Sequence, residues 1–252
     1  MRKSYRELTE EIKTDGERLK LIAALGSSDD LAYHYALISE DWAAGGTLML
    51  ENSFDRHGEA GIVFLLERLR AFGAASKTDA SAAAGTATGT GAYTDTAYLA
   101  AKILSQLRHR DFYAARAKEL AALLTARWEI SDIALRRKQI IALGWIGSEA
   151  EVEVLIGTMQ GDTDPLCRAW AAAALMQLSF HAVDAAFLRE RTKTAFAEAI
   201  QKEGDLNTAG IMLEAAQTLF GKKWISAAAA EAAESESIEK ARKSALRFLG
   251  KA

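Results

Sequence analysis

Proline occurs once in this 252-residue chain, at Pro165, and cysteine once, at Cys167. A lone cysteine has no internal partner, which excludes a disulfide framework within the chain and suits a reducing cytoplasm. The scarcity of proline leaves helices uninterrupted. No uncharged apolar run reaches the roughly 18 residues that a spanning helix needs, so no membrane span is expected. The first twenty residues, MRKSYRELTEEIKTDGERLK, are charged throughout and lack the apolar core of a secretory signal, which again points to the cytoplasm. A basic excess is missing as well. The net charge of −3 offers no global attraction for nucleic acid, which becomes the less favoured partner. His34, His57, His109 and His181 are scattered, with no histidine, cysteine or glutamate at helical i+3 or i+4 spacing. HExxH, CxxC and Glu-x-x-His pairs are absent too, so neither a metal nor another cofactor is expected.

Alanine, leucine, glutamate, lysine and arginine dominate what is present. These are the strongest helix formers and predict an all-α fold. Ser4 and Glu7 have capping-box spacing, with a helix break expected near Gly16. Gly26 is expected to end the next helix before the N-cap oxygens of Ser27 to Asp30, and Gly45-Gly46 to break the one after. Gly58 to Phe72 reads as a strongly apolar helix. Residues 74–94 are poor in large aliphatics and rich in Gly, Ala and Thr, and read as a flexible loop. GTATGTG is no phosphate-binding loop, since it lacks the lysine and the following Ser/Thr. Beyond it, helices are expected near 95–108, 112–127, 132–146, 149–160, 164–179, 182–202, 206–220, 222–233 and 237–249.

Two of these segments are copies of one unit. DIALRRKQIIALGWIG from Asp132 and DPLCRAWAAAALMQL from Asp164 align without a gap at an offset of 32, pairing Arg136 with Arg168 and Leu143 with Leu175. A looser copy starts at Asp205, at an offset of 41, and another at Thr96. A period of this size on a helical pattern indicates stacked helix pairs. Small residues at Ala171, Ala172 and Ala174 let helices approach closely, and Gly144 and Gly147 are expected to end theirs. Arg136 and Arg168 are expected to bridge to acids at neighbouring helix starts, such as Asp132 and Asp164, forming a structural ladder.

The pattern Asp132, Leu135-Arg136, Ala142-Leu143-Gly144, Ile146-Gly147, an acid-rich turn and EVEVLIGTM resembles HEAT-like repeats of the phycobilisome-lyase type. That resemblance implies an α-α superhelix: a single α-solenoid over 1–252, with N-terminal helices in 1–73, the loop in 74–94 and repeats in 95–252. It also implies which positions look into the concave groove. These are Ile133, Ala134, Arg137, Lys138, Ile141 and Trp145, then Leu166, Ala169, Trp170, Ala173 and Gln177. In the looser copies they are Tyr98, Leu99, Lys102 and Gln106, and Gly210, Ile211, Glu214 and Thr218.

Trp145 and Trp170 beside Arg137 and Lys138 have the composition of a binding hot spot; the alternatives are that Trp145 folds back over the next helix layer and that Trp170 plugs a gap left by its alanine neighbours. Trp42, Trp128 and Trp224 read as packing residues, Cys167 as a small buried filler, and Glu149, Glu151, Glu153, Glu231, Glu234 and Glu236 as solvated faces. The expected function is non-enzymatic: a bacterial scaffold holding a protein partner, as an adaptor, chaperone or toxin-neutralising immunity protein. Trp145, Trp170, Ile141, Gln177, Tyr98 and Lys102 would form the contact, with Arg137 and Lys138 steering an acidic partner. The alternative is a HEAT-like DNA-binding protein of the alkylpurine DNA glycosylase type, whose groove also uses tryptophans, basic residues and an acid. Here no acid is clearly placed one helical turn from a groove tryptophan; Trp128 and Asp132 have that spacing but straddle a predicted turn.

Overall fold

The computed structural model describes residues 2–78 and 87–250. Every regular element among them is helical. The order is α1 (Tyr5–Glu11), α2 (Asp15–Gly26), α3 (Leu31–Ala43), a 3-10 helix (Leu50–His57), α4 (Gly58–Thr78), α5 (Ala87–Gln106), α6 (Tyr113–Thr125) and α7 (Ile133–Ile146). A second 3-10 turn (Glu149–Glu151) leads to α8 (Val152–Gly161), α9 (Pro165–Leu178), α10 (Ala185–Lys202), α11 (Leu206–Leu219), α12 (Ala227–Glu231) and α13 (Ser235–Leu249).

Capping chemistry sets the starts of these helices. The Asp132, Asp164 and Asp205 side chains accept from Leu135, Cys167 and Thr208 backbone N–H groups at 3.0, 2.8 and 2.8 Å. Each satisfies a donor that the first turn leaves free, for about 1 kcal/mol. Pro165 sits at the first helical position of α9, where no N–H is needed.

Two rows of helices result. In one, α5, α7, α9 and α11 pack side by side, and α12 adjoins α11; the second row includes α4, α6, α8, α10 and α13. The first row can close up because its contacts are small. A Cβ added to Gly144 would lie 3.0 Å from both Cα and Cβ of Ala174, and one on Gly210 would lie 3.0 Å from the Ala230 carbonyl oxygen. Close spacing along one row curves the stack toward it, making the α5–α7–α9–α11 row the concave side of an α-solenoid. Ala171, Ala172, Leu143 and Leu175 are buried at these contacts.

Several boundaries differ from the sequence reading. α4 runs to Thr78 and α5 begins at Ala87, so the 74–94 loop was drawn too wide at both ends; 79–86 lie outside the described residues. Alanine propensity carries the helix through a stretch whose glycines and threonines suggested a loop. The break near Gly16 falls instead before Thr14, which with Glu17 forms a second capping box after the one at Ser4 and Glu7. α2 does end at Gly26, as its last helical residue with Ser27 at the C-cap, and Gly26 also allows close approach to Ser53. Gly144 lies within α7, which ends at Ile146 with Gly147 at the C-cap, and allows close approach to Ala174. Glu151 is buried, with its carboxylate accepting from Ser148 N–H at 2.7 Å, so it belongs to a cap and not to a solvated face.

Candidate functional site

Along the edge where α7, α9 and α11 begin, an arginine ladder joins the repeats. Arg136 donates from Nε and Nη2 to both oxygens of Asp162, each at 2.8 Å, and from Nη1 to the Ile130 carbonyl at 2.8 Å. One repeat later, Arg168 donates to both oxygens of Glu203 at 2.7 and 2.9 Å and to the Asp162 carbonyl at 2.8 Å. The acids accept a further bond from the N-cap backbone: Asp164 N–H to Asp162 at 2.8 Å and Asp205 N–H to Glu203 at 3.0 Å. Burial works to raise the Glu203 pKa, but the Arg168 fork and the Asp205 N–H outweigh it and hold the carboxyl below its ordinary value. The ladder expected from sequence exists, with different acids. Asp162 and Glu203 precede the N-cap aspartates by two residues, whereas Asp132 and Asp164 are occupied as caps. The recurrence of D-x-D at 162–164 and E-x-D at 203–205 was the available signal.

The concave face carries two aromatic areas. In the first, Tyr98 of α5 stands between Trp42 and Trp145, at ring-centroid distances of 6.4 and 5.1 Å. The Lys138 ammonium lies 5.8 Å from the Trp42 ring and 6.0 Å from that of Tyr98, and is also bonded to Asp95. Burial, with Glu51 nearby, raises the Tyr98 pKa. Lys102 is paired with Glu51 at 3.1 Å. Trp145 is half-buried, so its ring serves packing between α5 and α7 as well as the surface. Trp42 is half-buried and packs against the core, as expected from sequence, and its ring also borders this area; only the tertiary fold brings α3 to α5 and α7.

In the second area Trp170 of α9 is 37% exposed, with half-buried Leu166 and Ala173 on the same helix and half-buried Ile211 and Glu214 on α11. Ile141 and Gln177 are half-buried and Ile133 is 45% exposed at the start of α7. Leu99, Ala169 and Gly210, assigned to the groove from the repeat pattern, are buried instead. They sit between neighbouring helices, and a Cβ on Gly210 would meet Ala230.

Arg137 is taken up by a two-bond pair with Asp164, at 2.9 and 2.7 Å, which lowers the Asp164 pKa to about 2. Arg137, Lys138 and Lys102 therefore each have an acid of the chain beside them, and their charge is answered locally. The residues of the alternative reading have partners within the chain. Asp132 caps α7, Trp128 donates to Thr158 at 3.2 Å, and Arg108 donates to the Trp145 carbonyl at 3.1 Å. Cys167 is fully buried, and burial pushes its thiol up to about 11, away from nucleophilic use. Among the described residues, no group of three or more His, Cys, Asp or Glu side chains could hold a metal, and no helix is long and apolar enough to cross a membrane.

Residues 90–176 match the family described as HEAT repeats, a span that begins within α5 and ends within α9, taking in the first copy of the unit and most of the second. No curated protein and no solved structure matches the chain.

Proposed function

We propose that the chain is a non-enzymatic scaffold, one continuous solenoid that holds a protein partner against the face formed by α5, α7, α9 and α11. The observation that carries this reading is the exposed Trp170 on the concave row of a HEAT-repeat stack. Large aromatics left partly open on such a row are costly to solvate and dominate interface energetics when covered. Trp145, Tyr98, Lys102, Ile141 and Gln177 extend the contact to either side. Arg137 and Lys138 contribute as ion-paired polar groups, so steering of an acidic partner is not the basis of the proposal. The phycobilisome-lyase repeat subtype belongs to the same proposal, without its lyase activity. So does the setting: a cytoplasmic bacterial adaptor, chaperone or immunity protein, among which the partner's identity would select.

The test is purification of the tagged protein from its native cells, beside a Trp170→Ala variant. A stoichiometric protein should accompany the parent and be depleted at least about tenfold from the variant, the size of effect a central aromatic anchor produces. Equal recovery with both would remove Trp170 as the anchor, and recovery of nucleic acid alone would end the protein-scaffold reading.

A further inference from the structure

The concave row is electrically asymmetric along its length. Toward the N-terminal end, the cations on α5 and α7 are matched by Glu51, Asp95 and Asp164. Over α9, α11 and α12 only three charged residues occur: Arg168, Glu214 and Glu231. Arg168 is spent on Glu203 in the ladder. Glu214 is half-buried on α11, one turn after Gly210, and Gly210 packs against Ala230, the neighbour of Glu231 at the end of α12. Neither glutamate has a cationic partner among the described residues. Lys222, in the turn that follows α11, sits over the Phe248 ring at 4.5 Å.

Apolar surface lies directly beside this acidic pair. α9 and α11 start side by side, since Arg168 near the start of α9 is bonded to Glu203 just before α11. At the offset of 41 that relates the two helices, Trp170 corresponds to Ile211 and Ala173 to Glu214. Trp170 and Ile211 thus stand one turn before Ala173 and Glu214 on adjacent parallel helices. An aromatic and aliphatic surface bordered by two unanswered carboxylates suits an apolar segment that carries a cationic side chain.

We infer that the α9–α11–α12 part of the groove docks a basic segment of the partner protein, with a lysine or arginine bridging Glu214 and Glu231 while an apolar neighbour covers Trp170 and Ile211. This rests on the scaffold reading and deepens it by naming the chemistry of the partner. The pKa of Glu214 is raised, by burial and then by the charge of Glu231, which is the behaviour of an acid lacking a counter-ion. A docked cation would lower it again.

The probe is a fluorescein-labelled peptide of alternating leucine and arginine, beside its counterpart with glutamate for arginine, both followed by fluorescence anisotropy. The arginine peptide should bind at least about tenfold tighter than the glutamate one, and Glu214→Gln/Glu231→Gln should weaken it about fivefold to tenfold. Trp170→Ala should weaken it as well. Glu190→Gln/Glu236→Gln, which removes the same net charge from exposed sites on α10 and α13, should leave it unchanged. Unaltered thermal unfolding of each variant checks the fold. The inference is overturned if neither peptide binds, if the glutamate peptide binds as well, or if the α10/α13 control weakens binding equally. Failure of the inference separates from failure of the scaffold reading through the natural partner. Release by Trp170→Ala but not by Glu214→Gln/Glu231→Gln leaves the scaffold standing and removes its basic ligand; release by neither removes this part of the groove as the contact, and nucleic acid alone in place of a protein removes the scaffold reading itself.

Discussion

Between Asp132 and Asp205 one polar device is used twice with the same arginine atoms, whereas between Tyr5 and His57 each tertiary polar contact is of its own kind. In the repeats an arginine fork grips the acid two residues ahead of the next N-cap. In the N-terminal part, Asp41 is fully buried and accepts from Tyr5 Oη at 2.8 Å, from Leu48 N–H at 3.0 Å and from Leu50 N–H at 3.4 Å. Ser53 donates to the Ile22 carbonyl at 2.6 Å. Buried His34 meets the carbonyl of Leu50 at 3.0 Å and His57 at 2.9 Å. A stack that grows by repetition can use one solution at every joint. The helices between Tyr5 and His57 do not repeat one another, so each of their joints takes its own polar solution.

The largest effect should come from breaking a joint. Arg168→Ala leaves the Glu203 carboxylate, whose side chain is only 3% exposed, without its counter-ion. Removing one partner of a buried pair costs ~3–5 kcal/mol, to be read as a lower urea midpoint. Adding Glu203→Ala should restore part of the loss, since the unpaired buried charge then disappears. A cost within about 0.5 kcal/mol for Arg168→Ala would show that the ladder is surface decoration.

Asp41→Ala tests the other side of the comparison and should cost somewhat less, ~2–3 kcal/mol, because two buried backbone donors and a tyrosine hydroxyl lose their acceptor. The damage should be local. Hydrogen exchange should accelerate at amides 44–57 with little change across 133–206 if the one-off contacts hold a separately opening unit. Uniform acceleration along the chain would mean that the terminus and the stack open together, and that the contrast is one of appearance only.

This contrast also explains what the sequence made legible. The offset of 32 exposes α7 and α9, their capping aspartates and the arginines of the ladder, because each recurs. The ladder acids were harder to place, since Asp162 and Glu203 differ in type and their repeats differ in length. On the concave face the inner-helix pattern found Trp170, yet it also selected Leu99, Ala169 and Gly210, which are buried. Helical periodicity fixes an angle around the axis to within one position, and neighbouring helices cover the positions at the margin. Glu214 was found as a groove position, but its pairing with Glu231 and the place of Trp42 beside Tyr98 were invisible, because each depends on elements distant in sequence or on a helix end. The charge pairing of Arg137, Lys138 and Lys102 was hidden for the same reason.

The smallest predicted effect is the pH at which each region weakens. Leu50 carbonyl can only accept, so a neutral His34 donates to it from Nε2 and uses Nδ1 to accept from the Nε2–H of His57. The pKa of His34 is lowered by burial, with the His57 charge acting in the same direction and the Leu50 carbonyl against it. That of His57 is lowered by burial against the opposing fields of Asp55 and Asp29. Both rings are therefore held neutral in the folded chain while the unfolded chain takes up protons from about pH 6.5 downward. Their contribution is complete above that pH and declines as the pH falls through it toward the depressed folded values. In the stack, His181 follows the same rule, because burial also lowers its pKa, but it acts alone there. The Arg137-paired Asp164 behaves differently: its contribution is complete above 3.8 and fades only as the pH drops toward about 2. Acidification from pH 7 to pH 5 should therefore loosen amides 31–57 more than amides 133–206 in hydrogen exchange, after correction for the intrinsic rate. Equal loosening of both regions, or earlier opening of the stack, would show that the histidine pair does not set the acid sensitivity of the N-terminal end.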